Sequence, residues 1–142
     1  MWGHMHRCFE AGPGAPRAAR KCTHDWLEHL GWKGPECDDV VLAVSEAVTN
    51  AVEHAYPRDF PGQVIMDADT VTGPDGEQRV RITVTDHGMW REPEPSPEFA
   101  GCVPVRGRGL TMIRAAMSRS WLDANSDGTR LTMISKAVHP TR

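Results

Sequence analysis

Val44-Ser45-Glu46-Ala47-Val48-Thr49-Asn50-Ala51-Val52-Glu53-His54-Ala55 lies within a segment, Asp38 to Ala55, that reads as one uninterrupted helix. Asp38 or Asp39 is placed to cap it, and Pro57 follows its end. On a wheel of about 100° per residue, Val40, Val41, Val44, Ala47, Val48, Ala51, Val52 and Ala55 fall within an arc of about 140°. That arc is the core-facing stripe. Glu46, Asn50 and His54 stack along one line at i, i+4 and i+8. The line runs beside the apolar arc rather than opposite it, so its groups sit at the rim of a core. Leu42 falls on the far, polar side. By itself such a line is also what an ordinary solvated helix face looks like, and the spacing alone does not choose.

Working outward, Ala15 to Leu30 reads as a preceding helix, stopped by Gly31 and Gly34-Pro35. Residues 4–10 fit a short first strand. Downstream, Val64 to Val71 and Arg79 to Thr85 are strands joined by the turn Gly73-Pro74-Asp75-Gly76, which makes them a hairpin. The second alternates cleanly, with Val80, Ile82 and Val84 on one face and Arg79, Arg81, Thr83 and Thr85 on the other. Residues 89–106 follow, an irregular stretch holding Pro93, Pro95, Pro97 and Pro104. Loops of this length inside a small domain are usually functional or disordered. A third helix opens at Arg106-Gly107-Arg108-Gly109-Leu110, and Leu110, Ile113 and Met117 keep helical spacing. Ser120 to Ala124 and Arg130 to Ile134 close the chain as a second hairpin around Asp127-Gly128. The order β-α-α-β-β-loop-α-β-β lacks alternating βαβ units. It predicts an α+β fold: a two-layer sandwich of a mixed, mostly antiparallel sheet and three helices.

Composition narrows the function classes. With 142 residues, the chain fits one domain, residues 1–142, able to bury a real core. The 13 glycines and 11 prolines make it loop-rich, but fall short of a disordered low-complexity composition. Its apolar runs are too short to span a bilayer, and the start lacks the apolar stretch of a signal peptide, so no membrane partner is expected. Four cysteines without a CxxC pair read as reduced thiols in a cytoplasmic protein, Cys8, Cys22 and Cys37 among them as small buried hydrophobes. The net charge of −3 disfavours direct nucleic-acid binding. Residues 100–122, however, carry Arg106, Arg108, Arg114 and Arg119 with no acid, which suits one small anionic ligand or a solvated basic surface. His4 and His6 find no HExxH or His/Cys cluster to make a metal site.

Two glycine motifs complete the site candidates. In Asp86-His87-Gly88, a carboxylate at a strand end can accept a hydrogen bond from an exocyclic amine, and Gly88 lets a ligand approach the backbone. An ordinary turn uses the same residues. Gly107 and Gly109 at a helix start leave N–H groups free for an anion, or merely cap the helix. Neither a Walker A loop nor a Rossmann fingerprint is present, since GxxxxGK[ST] is absent and GxGxxG fails at Met112.

In their order, these segments resemble the GHKL ATPases with the Bergerat ATP-binding fold, and within them the small anti-sigma-factor serine/threonine kinases. Residues 44–55 look like that family's N-box, Asp86-His87-Gly88 like its G1 box, Gly107-Arg108-Gly109-Leu110 like its G2 box, and Gly128-Thr129 like its final GT element. The resemblance implies ATP and Mg²⁺. Asn50 would hold Mg²⁺ through its side-chain oxygen, Glu46 would be general base toward an attacking hydroxyl, and His54 would line the nucleotide site. Asp86 would hold the adenine amine, with Thr129 assisting through water and Gly88 admitting the base. Gly107, Gly109 and Leu110 would present amides to the phosphates, Arg106 and Arg108 would neutralise their charge, and residues 89–106 would be the ATP lid. One departure stands out: the family's second G1 glycine is Trp90 here, which bears on lid motion and turnover.

The resemblance implies a kinase that phosphorylates an anti-anti-sigma partner, sequesters an alternative sigma factor and forms a homodimer. The alternative is a non-catalytic ATP/ADP-binding switch that controls a protein partner by binding alone. A third possibility is the detached catalytic domain of a sensor histidine kinase. His24-Asp25-Trp26-Leu27 faintly suggests a phosphoacceptor motif, but its continuation is missing.

Overall fold

A computed structural model describes residues 3–54, 62–88, 105–125 and 128–140. The elements run β1 (His4–Glu10), α1 (Ala15–His29), α2 (Pro35–His54), β2 (Gln63–Thr72), β3 (Gln78–Asp86), α3 (Val105–Ala116), β4 (Arg119–Asn125) and β5 (Gly128–Ile134). The five strands form one sheet in the order β1-β2-β3-β5-β4. Every described pairing is antiparallel, so the sheet expected to be mixed is a purely antiparallel one. Both expected hairpins are present, β2 with β3 and β4 with β5.

Helix ends follow local chemistry. In α1, Pro16 sits in the first turn, where its missing N–H costs nothing. Gly31 takes φ +86° just past the end. Its N–H donates to the Glu28 carbonyl at 3.0 Å, and the Trp32 N–H donates to that of Leu27 at 2.9 Å. These two bonds are a Schellman stop. The second helix starts three residues before the expected Asp38, at Pro35. Proline after a glycine had read as part of the preceding stop; here Gly34, at φ +79°, ends one segment and Pro35 begins the next. Glu36 and Asp38 then place negative charge at the positive helix end.

One layer of helices covers one sheet face. Val80, Ile82 and Val84 of β3, with Val64, Met66 and Ala68 of β2 and Leu131 and Met133 of β5, are buried against Val40, Val44, Ala47, Val48 and Ala51 of α2. Burial on α2 is wider than the apolar arc, since Ala43 and Ser45 are buried too. The reason is tertiary: α1 and α3 both pack against α2, and Arg20 of α1 donates to the Ser45 hydroxyl at 3.0 Å. The opposite sheet face carries polar and charged side chains, such as Arg81 paired with Asp69 at 2.6 Å. No described helix is long and apolar enough to cross a membrane.

Candidate functional site

The alternation of β3 decides where its last residue points. Asp86 continues the phase of Val80, Ile82 and Val84, so its carboxylate faces the core side and is only 2% exposed. A buried carboxylate is costly unless hydrogen-bonded. The Gly88 N–H donates to Asp86 Oδ1 at 3.1 Å, which bends the chain back around the acid. Directly across the ladder lies Thr129, also buried, so the two side chains share a face.

Gly128 makes this closeness possible. Its φ is +137°, and a Cβ there would lie 2.7 Å from the His87 Cα and 2.9 Å from the Asp86 carbonyl carbon. No side chain fits between these backbones. The beginning of β5 therefore presses onto the end of β3. A cavity of about 250 Å³ opens there, lined by Asp86, His87, Gly128 and Thr129 together with Thr85, Asp123 and Arg130. Thr85, Asp123 and Arg130 lie on the open sheet face, so this cavity belongs to the strand ends on that side and is not the space that the Asp86 carboxylate faces. Thr85, Asp123 and Arg130 were not singled out from sequence; Arg130 stands opposite both others in the ladder, a neighbourhood that only register reveals.

On α2, Asn50 is 5% exposed and Glu46 is half-buried, which puts both at the rim of the core as the helical wheel predicts. Among the described residues, the buried Asn50 amide nitrogen has no hydrogen-bond partner. Orphaned buried donors are rare and cost about 1–3 kcal/mol. Turning the amide about its last torsion exchanges nitrogen and oxygen, so the group can offer N–H to a phosphate oxygen or a carbonyl-type oxygen to a cation. A single amide oxygen suits Mg²⁺, which keeps waters and substrate phosphates as its other ligands. The residues present fit that ion.

α3 packs on α2, and its first turn carries no acid. α3 begins at Val105, one residue before the expected opening at Arg106, so the Gly109 and Leu110 N–H groups expected to face phosphates fall at positions where they bond the Val105 and Arg106 carbonyls within the helix, and Gly107 is the one of the three left in the first turn. The side chains of Arg106 and Arg108, like that of His54 at the end of α2, lie outside the described residues. Leu110 is half-buried and packs against the core, which fixes the helix start. Of the expected lid, residues 89–104 lie outside the described residues, and Trp90 with them. The structure thus brings Asp86, Thr129 and Gly128 together, and layers the helix bearing Glu46 and Asn50 over β3.

A family described as the histidine kinase-like ATPase domain matches residues 9–135. The chain belongs to this family. Among curated relatives, an anti-sigma F factor from Clostridium perfringens is 31% identical over 124 residues, covering 83% of this chain and 85% of that one. A serine-protein kinase RsbW from Bacillus subtilis is 39% identical over 59 residues, which is 42% of this chain and 34% of that protein. A crystal structure of the RsbU and RsbW domains of Rv1364c from Mycobacterium tuberculosis matches with a TM-score of 0.71 at 28% identity. That match covers 98% of this chain, which spans about a third (34%) of the other. As a histidine kinase-like ATPase domain, the α+β fold described above is a nucleotide-handling fold, and ATP use follows from the family.

Proposed function

We propose that the protein is an ATP-dependent serine/threonine kinase that acts as an anti-sigma factor in the cytoplasm. It sequesters an alternative sigma factor and phosphorylates an anti-anti-sigma partner, working as a homodimer. The observation that carries the reading is the orphaned Asn50 amide, one helical turn beyond half-buried Glu46, on the helix layered over the strand that ends in Asp86. The anti-sigma F factor and RsbW relatives supply the substrate class.

Each residue has a role its chemistry allows. Asp86 accepts a hydrogen bond from the adenine amine, and Thr129 beside it completes the polar edge. Gly88 keeps the backbone low enough for the base to lie against it. The first turn of α3, which begins at Val105 and includes Gly107, offers free N–H groups and a positive dipole to the phosphates, and Arg106 and Arg108 add charge. Asn50 holds Mg²⁺, which when bound neutralises charge on the phosphate oxygens. The partner's hydroxyl oxygen forms a bond to the γ-phosphorus while the bond to the bridging oxygen breaks. ADP leaves, and the hydroxyl proton passes to Glu46. Positioning and charge neutralisation account for most of such a transfer.

Calorimetry of ATP with and without Mg²⁺, on wild type and Asn50→Ala, tests the site. Wild type is expected to bind ATP more tightly with Mg²⁺, and the variant to lose that difference. No affinity for either nucleotide would sink the assignment. Transfer of labelled phosphate to a candidate anti-anti-sigma protein, absent in Glu46→Ala, tests the kinase step. Trp90 in place of a lid glycine favours a second reading, a switch that binds ATP or ADP and acts by capture alone. Tight binding of ATP without transfer to any cognate partner would select it.

A further inference from the structure

On the open sheet face, β1 and β2 place three side chains in a row that the nucleotide site does not use. His6 stands opposite Asp67 in the ladder, and its Nδ1 lies 2.5 Å from Asp67 Oδ1. Its other ring nitrogen, Nε2, lies 3.8 Å from the sulfur of Cys8, two residues along the same strand face. All three are solvent-accessible, on the outermost strand and its neighbour. A carboxylate can only accept, so the proton between Asp67 and His6 is on Nδ1. In the neutral imidazole with its proton on Nδ1, Nε2 is the acceptor, and the Cys8 contact then runs from thiol to imidazole. Thiol, imidazole and carboxylate therefore form a relay in which each group orients the next.

We propose that Cys8 is an activated thiol that exchanges with small-molecule disulfides, with His6 as its proton acceptor and Asp67 as the positioning residue. The Cys8 sulfur attacks one sulfur of the disulfide, forming a new S–S bond as the old one breaks. The Cys8 proton passes to His6 Nε2, and from there to the departing small thiolate. One disulfide is consumed and one formed, with no net electron change. The surroundings of the other described cysteines oppose such chemistry. Cys37 is buried, and burial first, then the charges of Asp38 and Glu28, pushes its thiol up, keeping it protonated. Cys22 is half-buried at the edge of the core. Sequence had cast Cys8 as a buried hydrophobe; the ladder turns it outward instead, on the same face as His6.

The test is the folded chain exposed briefly to glutathione disulfide at neutral pH, with the mixed disulfide at each cysteine followed by peptide mass spectrometry. Cys8 is expected to react at least about tenfold faster in the folded chain than in urea, where only an ordinary thiol remains. His6→Ala is expected to remove that advantage. Asp67→Asn, which keeps the shape but not the charge, is expected to remove most of it, and Asp67→Glu to restore part. Thermal unfolding midpoints of these surface variants should match wild type, which separates lost relay chemistry from lost fold. A Cys8 rate equal to that in urea, or one unchanged by His6→Ala, would overturn the proposal.

Discussion

At the scale of single residues, the proposed role of Asn50 has a stability signature. Its amide nitrogen is buried and unpaired among the described residues, and a buried donor left without a partner costs about 1–3 kcal/mol. Leucine is close to asparagine in shape and has no group to satisfy. Asn50→Leu is therefore expected to stabilise the ligand-free protein by about 1 kcal/mol, read as a higher urea midpoint with an unchanged slope. The same variant should lose Mg²⁺-dependent ATP binding. Lost stability would mean that Asn50 serves the fold, through a partner outside the described residues. Gained stability with lost binding is the expected signature of a residue retained for its ligand.

At the scale of elements, the glycines at β-strand ends separate two kinds of constraint. Gly76 has φ +80° with open space around it, whereas Gly128 has φ +137° with the Asp86–His87 backbone against it. Gly76→Ala should cost about 1 kcal/mol, the ordinary left-handed penalty. Gly128→Ala adds a backbone collision and should cost at least about 3 kcal/mol. It should also push β5 away from β3 where Asp86 faces Thr129, so adenine-nucleotide affinity falls with it. Denaturant titration gives both numbers, and equal costs would contradict the close approach.

The same elements mark what the amino-acid sequence made legible. The alternation of Arg79 to Thr85 set the face of every residue in β3, and extending it by one step placed Asp86 inward. Gly31 announced the end of α1 because a Schellman stop needs a residue that tolerates positive φ. The start of α2 was hidden because Gly34-Pro35 serves both a stop and a start. Buried Ala43 and Ser45 were hidden because α1 and α3 cover flanks that a single wheel counts as surface. Gly128 was legible as a turn glycine, but its contact with Asp86 depends on which strand lies beside β5. Strand order is long-range information: β3 pairs with β5 and not β4, and no local pattern encodes that choice.

At the scale of the whole molecule, the proposed site joins parts distant in sequence: α2, the end of β3, the start of α3 and the start of β5. A ligand held by all four binds only the folded state, so its affinity appears as stability. At a hundredfold excess over its dissociation constant a ligand adds about 2.7 kcal/mol. For a chain of this length that raises the melting midpoint by about 5–10 °C. The nature of the base decides which nucleotide does this. In the proposed site the Asp86 carboxylate accepts from the base, and adenine presents an amine donor at the edge where guanine presents a carbonyl acceptor. In that site guanine would set its carbonyl against a buried carboxylate, oxygen against oxygen. Such a mismatch costs about 1–3 kcal/mol or more. ATP with Mg²⁺ should raise the midpoint, and GTP at the same concentration should raise it far less. Asp86→Asn should narrow the gap, because an amide can turn and donate to the guanine carbonyl. If GTP and ATP stabilise the wild type equally, Asp86 does not read the base, and the nucleotide lies elsewhere on the helix-covered face.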